Sequence, residues 1–175
     1  RIKDSGRIVW IVNGYDERGL MYGLYDVADR IGWTERRTHL LGEVEEITER
    51  PYSPERAVSV FALNRTYWES RFYNKDYWDK YLDLLARNRF NTLVVILGYN
   101  YDGFLSPCFP YFFDVEEFPD VHMAGLTASG QKQNTEALKD LIRLTHDHGM
   151  NITIGFWDYI YRGGARGRSV PGKEA

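Results

Sequence analysis

Two segments of the chain pass from a helical pattern into a strand by the same route. The first is Asn88-Arg89-Phe90-Asn91, ahead of the apolar run Thr92 to Tyr99 (TLVVILGY). The second is His148-Gly149-Met150-Asn151, which leads into Asn151 to Tyr159 (NITIGFWDY). Each consists of a short turn, one apolar residue, an Asn and a strand. The first helical stripe is Tyr77, Trp78, Tyr81, Leu82 and Leu85, with Asn74 or Asp76 as its cap. The second is Leu138, Leu141, Ile142 and Thr145, with Asn134 as its cap and Gly149 at its end. A further strand, Ala57 to Leu63, precedes both. Thr92 to Tyr99 is nearly continuous in apolar residues, as in a strand buried on both faces. Successive βα units of this kind build a parallel sheet with right-handed crossovers, either doubly wound or closed as a (β/α) barrel.

The first fifty residues follow a different pattern. Arg7 to Asn13 reads as a strand, Gly14 to Asp16 as a turn, and Asp16 as the cap of a helix carrying Leu20, Leu24, Val27, Ala28 and Ile31. Gly19 and Gly23 lie one turn apart, which predicts close packing of that helix on a sheet, and Gly32 ends it. Thr38 to Ile47 is expected to be one more strand, with Glu43, Glu45 and Glu46 on a solvated face. Pro51 and Pro54 mark a boundary between residues 1–50 and 51–175. The sequence opens at Arg1 without an initiator Met, and it is expected to be a piece of a longer polypeptide.

Composition removes several classes. With 22 basic and 25 acidic residues, no global field attracts nucleic acid or anionic lipid. The longest apolar run, Leu93 to Leu97, is too short to span a bilayer. One cysteine, Cys108, excludes an internal disulfide framework and a multi-cysteine metal site. His146 and His148 are two apart and do not share a helix face, and no phosphate-cradling glycine motif follows a strand. No metal or cofactor is expected. The run Arg162 to Arg168 is basic and glycine-rich, which keeps a nucleic-acid-binding protein as a minor alternative. Aromatic residues reach 15%, a supply of planes on which sugars or bases stack.

Parallel α/β sheets seat ligands at the carboxyl ends of their strands. Those ends carry Asn64, Arg65, Trp68 and Glu69 after the first strand, Tyr99 and Asn100 after the second, and Trp157 and Asp158 after the third. Asp158 accepts a substrate hydroxyl, orients a catalytic acid or caps the next helix. A glycosidase needs two carboxylates across the scissile bond, and no such pair stands out. More than thirty residues, Asn100 to Gln133, connect the second strand to its helix; a loop that long is expected to wall a cleft.

The stretch Asp16 to Ala28 (DERGLMYGLYDVA) resembles the helix signature of the small α/β domain that precedes the catalytic barrel in β-hexosaminidases and α-glucuronidases. Pro51, Tyr52 and Arg56 are similar in order to the linker and the Arg that follow there, although Ala57 to Leu63 carries neither the Asp nor the second Arg of the hexosaminidase motif. Leu84 to Leu93 resembles the first helix and second strand of such barrels. The resemblance implies an α/β chain: the end of a small accessory domain (1–50), then the first three β/α units of an incomplete (β/α)8 TIM-type barrel (51–175). It implies a fragment of a glycoside hydrolase, with the remainder of its own barrel and a carbohydrate substrate as partners, in a secreted or periplasmic setting. The expected substrate-binding residues are Arg56, Asn64, Arg65, Trp68, Tyr99, Asn100, Trp157 and Asp158; the catalytic residues are expected on later strands. A non-catalytic glycan-binding module is the alternative.

Overall fold

The computed structural model describes residues 2–4, 7–35, 38–61, 65–97, 108–123 and 125–156. Strands β1 (Ile2–Asp4) and β2 (Arg7–Val9) form an antiparallel pair, followed by helix α1 (Glu17–Trp33). Then come β3 (Ala57–Phe61), α2 (Arg65–Phe72), α3 (Lys75–Arg87), β4 (Thr92–Leu97), α4 (Cys108–Phe112), α5 (Ala128–Asp147) and β5 (Asn151–Phe156). The second sheet is parallel in the order β3-β4-β5, with Ala57, Thr92 and Asn151 in register at its amino edge.

Burial on β4 alternates. Leu93, Val95 and Leu97 are buried in one core with Leu82, Leu85, Ala86 and Leu141 of α3 and α5, which also pack against each other. Both crossover helices therefore cover the same face. On the other face Ser59, Val94 and Thr153 share one register row, and Val94 and Ile96 are half-buried. The expected two-sided burial of β4 is thus complete on the helical side only.

The repeated junction is a repeated cap. After α3, the Phe90 N–H reaches the Leu85 carbonyl at 3.0 Å and the Arg89 N–H reaches that of Ala86 at 2.9 Å. After α5, Met150 reaches Thr145 at 3.0 Å and Gly149 reaches His146 at 2.8 Å. These are the paired bonds of a helix ended by a left-handed residue, and Arg89 (φ 64°) and Gly149 (φ 68°) supply it. The apolar residue of each junction then turns inward, with Met150 fully buried. An alanine at Gly149 would meet that left-handed backbone and a Met21 Sδ only 2.9 Å from its Cβ. Gly149→Ala is expected to lower stability by about 1–2 kcal/mol in urea titration.

Several local expectations change. Asp16 and Asn74 do cap α1 and α3, accepting from Gly19 N and Tyr77 N. Asn134 is not a cap: α5 starts six residues earlier, capped by Thr127, and Asn134 is buried inside it. Gly32 lies within α1, which runs on to Trp33. Thr38 to Ile47 contains no strand where it is described; turns close from Gly42 to His39 and from Val44 to Leu41, burying Val44 and leaving the three acids exposed. The close approach at Gly23 is to Val12, in an irregular segment rather than a strand.

Candidate functional site

The two ends of the parallel sheet are built differently. At the amino end, α1 docks on both junctions. Arg18 donates to the Gly149 carbonyl (2.7 Å) and to Asn151 Oδ1 (3.1 Å), and Tyr22 Oη donates to the Phe90 carbonyl (3.0 Å). Asp26 and Asp29 pair with Arg89 (3.6 Å) and Arg87 (3.3 Å), and Arg87 lies over the Tyr25 ring.

Arg56, expected among the substrate-binding residues, lies at this amino end. Its Nε donates to the Arg89 carbonyl (2.5 Å), its Nη1 to that of Ser53 (2.8 Å), and its guanidinium lies over the Tyr22 ring. It precedes β3, so it stands at the opposite end from the strand termini where ligands sit. A guanidinium holding backbone carbonyls fastens the 51–56 segment to the junction.

At the carboxyl end, α2, α4 and α5 meet over an aromatic cluster. Trp68 stacks on Phe72 with ring centroids 4.7 Å apart and meets Trp78 edge-on at 6.3 Å. Phe72 also contacts Tyr73, Tyr111 and Phe112. Trp68, also expected among the substrate-binding residues, is 5% exposed and packs in the core. Arg65 is the first residue of α2. Asn64, Tyr99, Asn100, Trp157 and Asp158 lie outside the described residues.

A polar network runs through this cluster. Tyr111 Oη donates to Glu69 Oε1 at 3.0 Å and stands 3.2 Å from Tyr73 Oη. Tyr73 Oη donates to Asn134 Oδ1, and Asn134 Nδ2 donates to the Tyr111 carbonyl at 2.9 Å. Tyr111 is 0% exposed and Glu69 is half-buried. Gln131 and Thr135 extend the pattern by donating to the Pro110 and Phe112 carbonyls. Three successive carbonyls at the end of α4, which lack intrahelical partners, are thus satisfied by Gln131, Asn134 and Thr135. This fastens part of the long β4–α5 connection onto the sheet end. The legible signal was a polar stripe at i, i+3 and i+4 spacing, here inside a helix rather than ahead of one.

Burial pushes the Tyr111 hydroxyl far above the ordinary tyrosine value, reinforced by the Tyr73 hydroxyl and the Glu69 carboxylate. The folded chain keeps this proton where the unfolded chain releases it near pH 10. The resulting stability is complete below about pH 10 and falls as pH rises above it. Tyr111→Phe is expected to flatten the alkaline limb of the urea midpoint above about pH 10. An unchanged limb would show that other groups set it.

A cavity of about 210 Å³ lies beside this cluster, between α3 and α5. Residues from these helices, from the end of α2 and from the α2–α3 turn line it, and Lys75 and Asp140 pair at 2.5 Å on its wall. Phe72, Tyr73 and Trp78 of the aromatic cluster line it, and no strand residue does among the described residues. Among the described residues no group of three or more His, Cys, Asp or Glu gathers as for a metal ion. No described helix is long and apolar enough to cross a membrane.

No family model matches the chain, and no curated protein matches it. Among solved structures it is similar to a GH138 enzyme targeting pectin rhamnogalacturonan II, with a TM-score of 0.62 and 21% identity. The match covers 83% of this chain and 17% of that one, and at this identity it is a likeness of fold.

Proposed function

We propose that the chain is part of a carbohydrate-active enzyme, a glycoside hydrolase, and that β3, β4 and β5 open a (β/α)8 barrel whose remaining strands belong to the same protein. The observation that carries this reading is the fold shared over 83% of the chain with a GH138 enzyme. The winding supports it: the strands run in sequence order and α3 and α5 lie on one face, as in a barrel. In the opposite, partly covered face, Val94 and Ile96 are the residues a barrel interior would enclose. The accessory unit, 1–50, docks beneath the barrel through α1, and the carboxyl end carries the cleft.

In this reading the carboxyl-end residues Asn64, Arg65, Tyr99, Asn100, Trp157 and Asp158 contribute to sugar binding, through stacking by Tyr and Trp and hydrogen bonds from the rest. Arg56 and Trp68 support the scaffold. The acid and base act from later strands. The test is to express the complete reading frame and incubate it with pectic polysaccharide and its oligosaccharides. New reducing ends are the expected result. Binding without cleavage would favour a glycan-binding module, and neither binding nor cleavage across a wide glycan set would overturn the reading.

A further inference from the structure

We infer that the cavity between α3 and α5 is a further carbohydrate site, which takes one neutral sugar ring and is built by helices rather than by strand ends. The inference rests on the carbohydrate reading above. The walls come from the end of α2, the α2–α3 turn, α3 and α5. Helix α3 joins β3 to β4 and α5 joins β4 to β5, so both belong to consecutive units of one sheet. Strands added at the open edges of that sheet leave the space between these two helices intact. Phe72, Trp78 and Leu141, each 2% exposed or less, form an apolar floor. The exposed lining residues Tyr73, Lys75, Gln133 and Glu136 form the mouth.

Size and charge narrow the occupant. Pockets that enclose drug-sized ligands begin at about 300 Å³. At about 210 Å³ this cavity holds one ring rather than a chain of them. The charges of its lining are already matched: Lys75 pairs with Asp140 at 2.5 Å and Glu136 with Lys139 at 2.9 Å, while Asp140 also faces Arg143 at 3.5 Å. The lining thus leaves no cation for an acidic sugar, and its two carboxylates repel one. The Gln133 amide has no partner among the described residues and offers both a donor and an acceptor. Trp78 adds a second unmet group. Its buried indole N–H has no acceptor among the described residues, and in native proteins such a donor is met by a water or a ligand oxygen. The occupant these groups ask for is uncharged, lays an apolar face on the floor and brings hydroxyl groups to the mouth. A neutral pyranose has that form, with C–H groups across one face and hydroxyls around its edge, and Tyr73 stands beside it at the mouth, 37% exposed.

The test uses protein from the complete reading frame, labelled with 5-fluorotryptophan, in which the Trp78 resonance is identified by its loss in Trp78→Phe. The probes are the neutral methyl glycosides of galactose, rhamnose, arabinose and glucose. Methyl galacturonoside is the anionic control, and cyclohexanol is the control for an apolar ring with one hydroxyl. A neutral glycoside is expected to shift the Trp78 resonance saturably and to bind at least about threefold more tightly than either control. Ala137→Leu, which fills the cavity from α5, is expected to abolish the shift. Gln133→Ala, at an exposed helix position, is expected to weaken binding roughly threefold to tenfold. A thermal melt checks that each variant is folded, and Gln133→Ala carries the test if Ala137→Leu does not fold. A Trp78 resonance that no glycoside moves, in a protein that binds or cleaves glycan, overturns this site and leaves the carbohydrate reading intact. Equal or tighter binding of the uronoside or of cyclohexanol overturns the neutral-sugar assignment. A shift that survives in folded Ala137→Leu, or that is not weakened in Gln133→Ala, overturns the placement in this cavity. A protein that neither binds nor cleaves any glycan overturns the carbohydrate reading and this inference with it.

Discussion

Asn91→Ala should cost about 2–4 kcal/mol of unfolding free energy, more than its small volume implies. Asn91 is 7% exposed at the entry to β4. Its Oδ1 accepts from the Arg56 N–H at 2.9 Å and from Thr92 Oγ1 at 3.2 Å, and its Nδ2 donates to the Pro54 carbonyl at 2.7 Å. Alanine leaves the Arg56 N–H without this acceptor and leaves the Pro54 carbonyl only a long 3.4 Å bond from Arg56 Nη1, in a partly buried place, and each such loss costs about 1–3 kcal/mol. The equivalent residue of the second junction is the control. Asn151 is exposed, and its side chain accepts from the Arg18 guanidinium, so Asn151→Ala should cost under about 1 kcal/mol. Paired urea titrations check the contrast. Equal losses at the two sites would show that burial of the 54–56 strap does not set the difference.

Phe72→Ala carries the other large effect, about 3–5 kcal/mol. Phe72 is 2% exposed and touches Trp68, Tyr73, Tyr111 and Phe112, so truncation opens a cavity among rings that cannot all collapse into it. Phe72→Leu should cost less than half as much. The change also loosens the ring that sets where the Tyr111 hydroxyl sits. The Phe72→Ala and Tyr111→Phe losses should therefore be non-additive by about 0.5–3 kcal/mol in a double-mutant cycle. Strict additivity would separate the aromatic packing from the polar network.

The three parallel strands were legible as apolar runs and the helices α3 and α5 as periodic stripes, because burial on one face imposes a pattern that a sequence displays, whereas the strand expected over Arg7 to Asn13 ends at Val9. The junctions were legible because a left-handed cap needs a particular order of residues, including the inward apolar one. Other features escaped for physical reasons. Thr38 to Ile47 alternates like a strand, yet one apolar side chain, Val44, is buried by successive tight turns that alternation cannot reveal. The opening of α5 is polar because Gln131, Asn134 and Thr135 serve the carbonyls of α4, and that demand comes from a segment distant in sequence. Arg56 has the residue type a sugar site needs, and only its position before β3, with its carbonyl partners, shows what it does. The helices α2 and α4 were not foreseen, since short helices held by packing leave little periodic trace.

The docking of α1 has a kinetic side. Arg18 meets Gly149 across 131 positions of chain and Asn151 across 133, while Tyr22 meets Phe90 across 68. Contacts that close such long loops are rewarded only after both receiving turns exist, so they belong after the folding transition state. Substitutions at Arg18 or Tyr22 should then leave the refolding rate nearly untouched and speed unfolding, so that the lifetime of the folded chain is set at the seam between its first helix and its sheet.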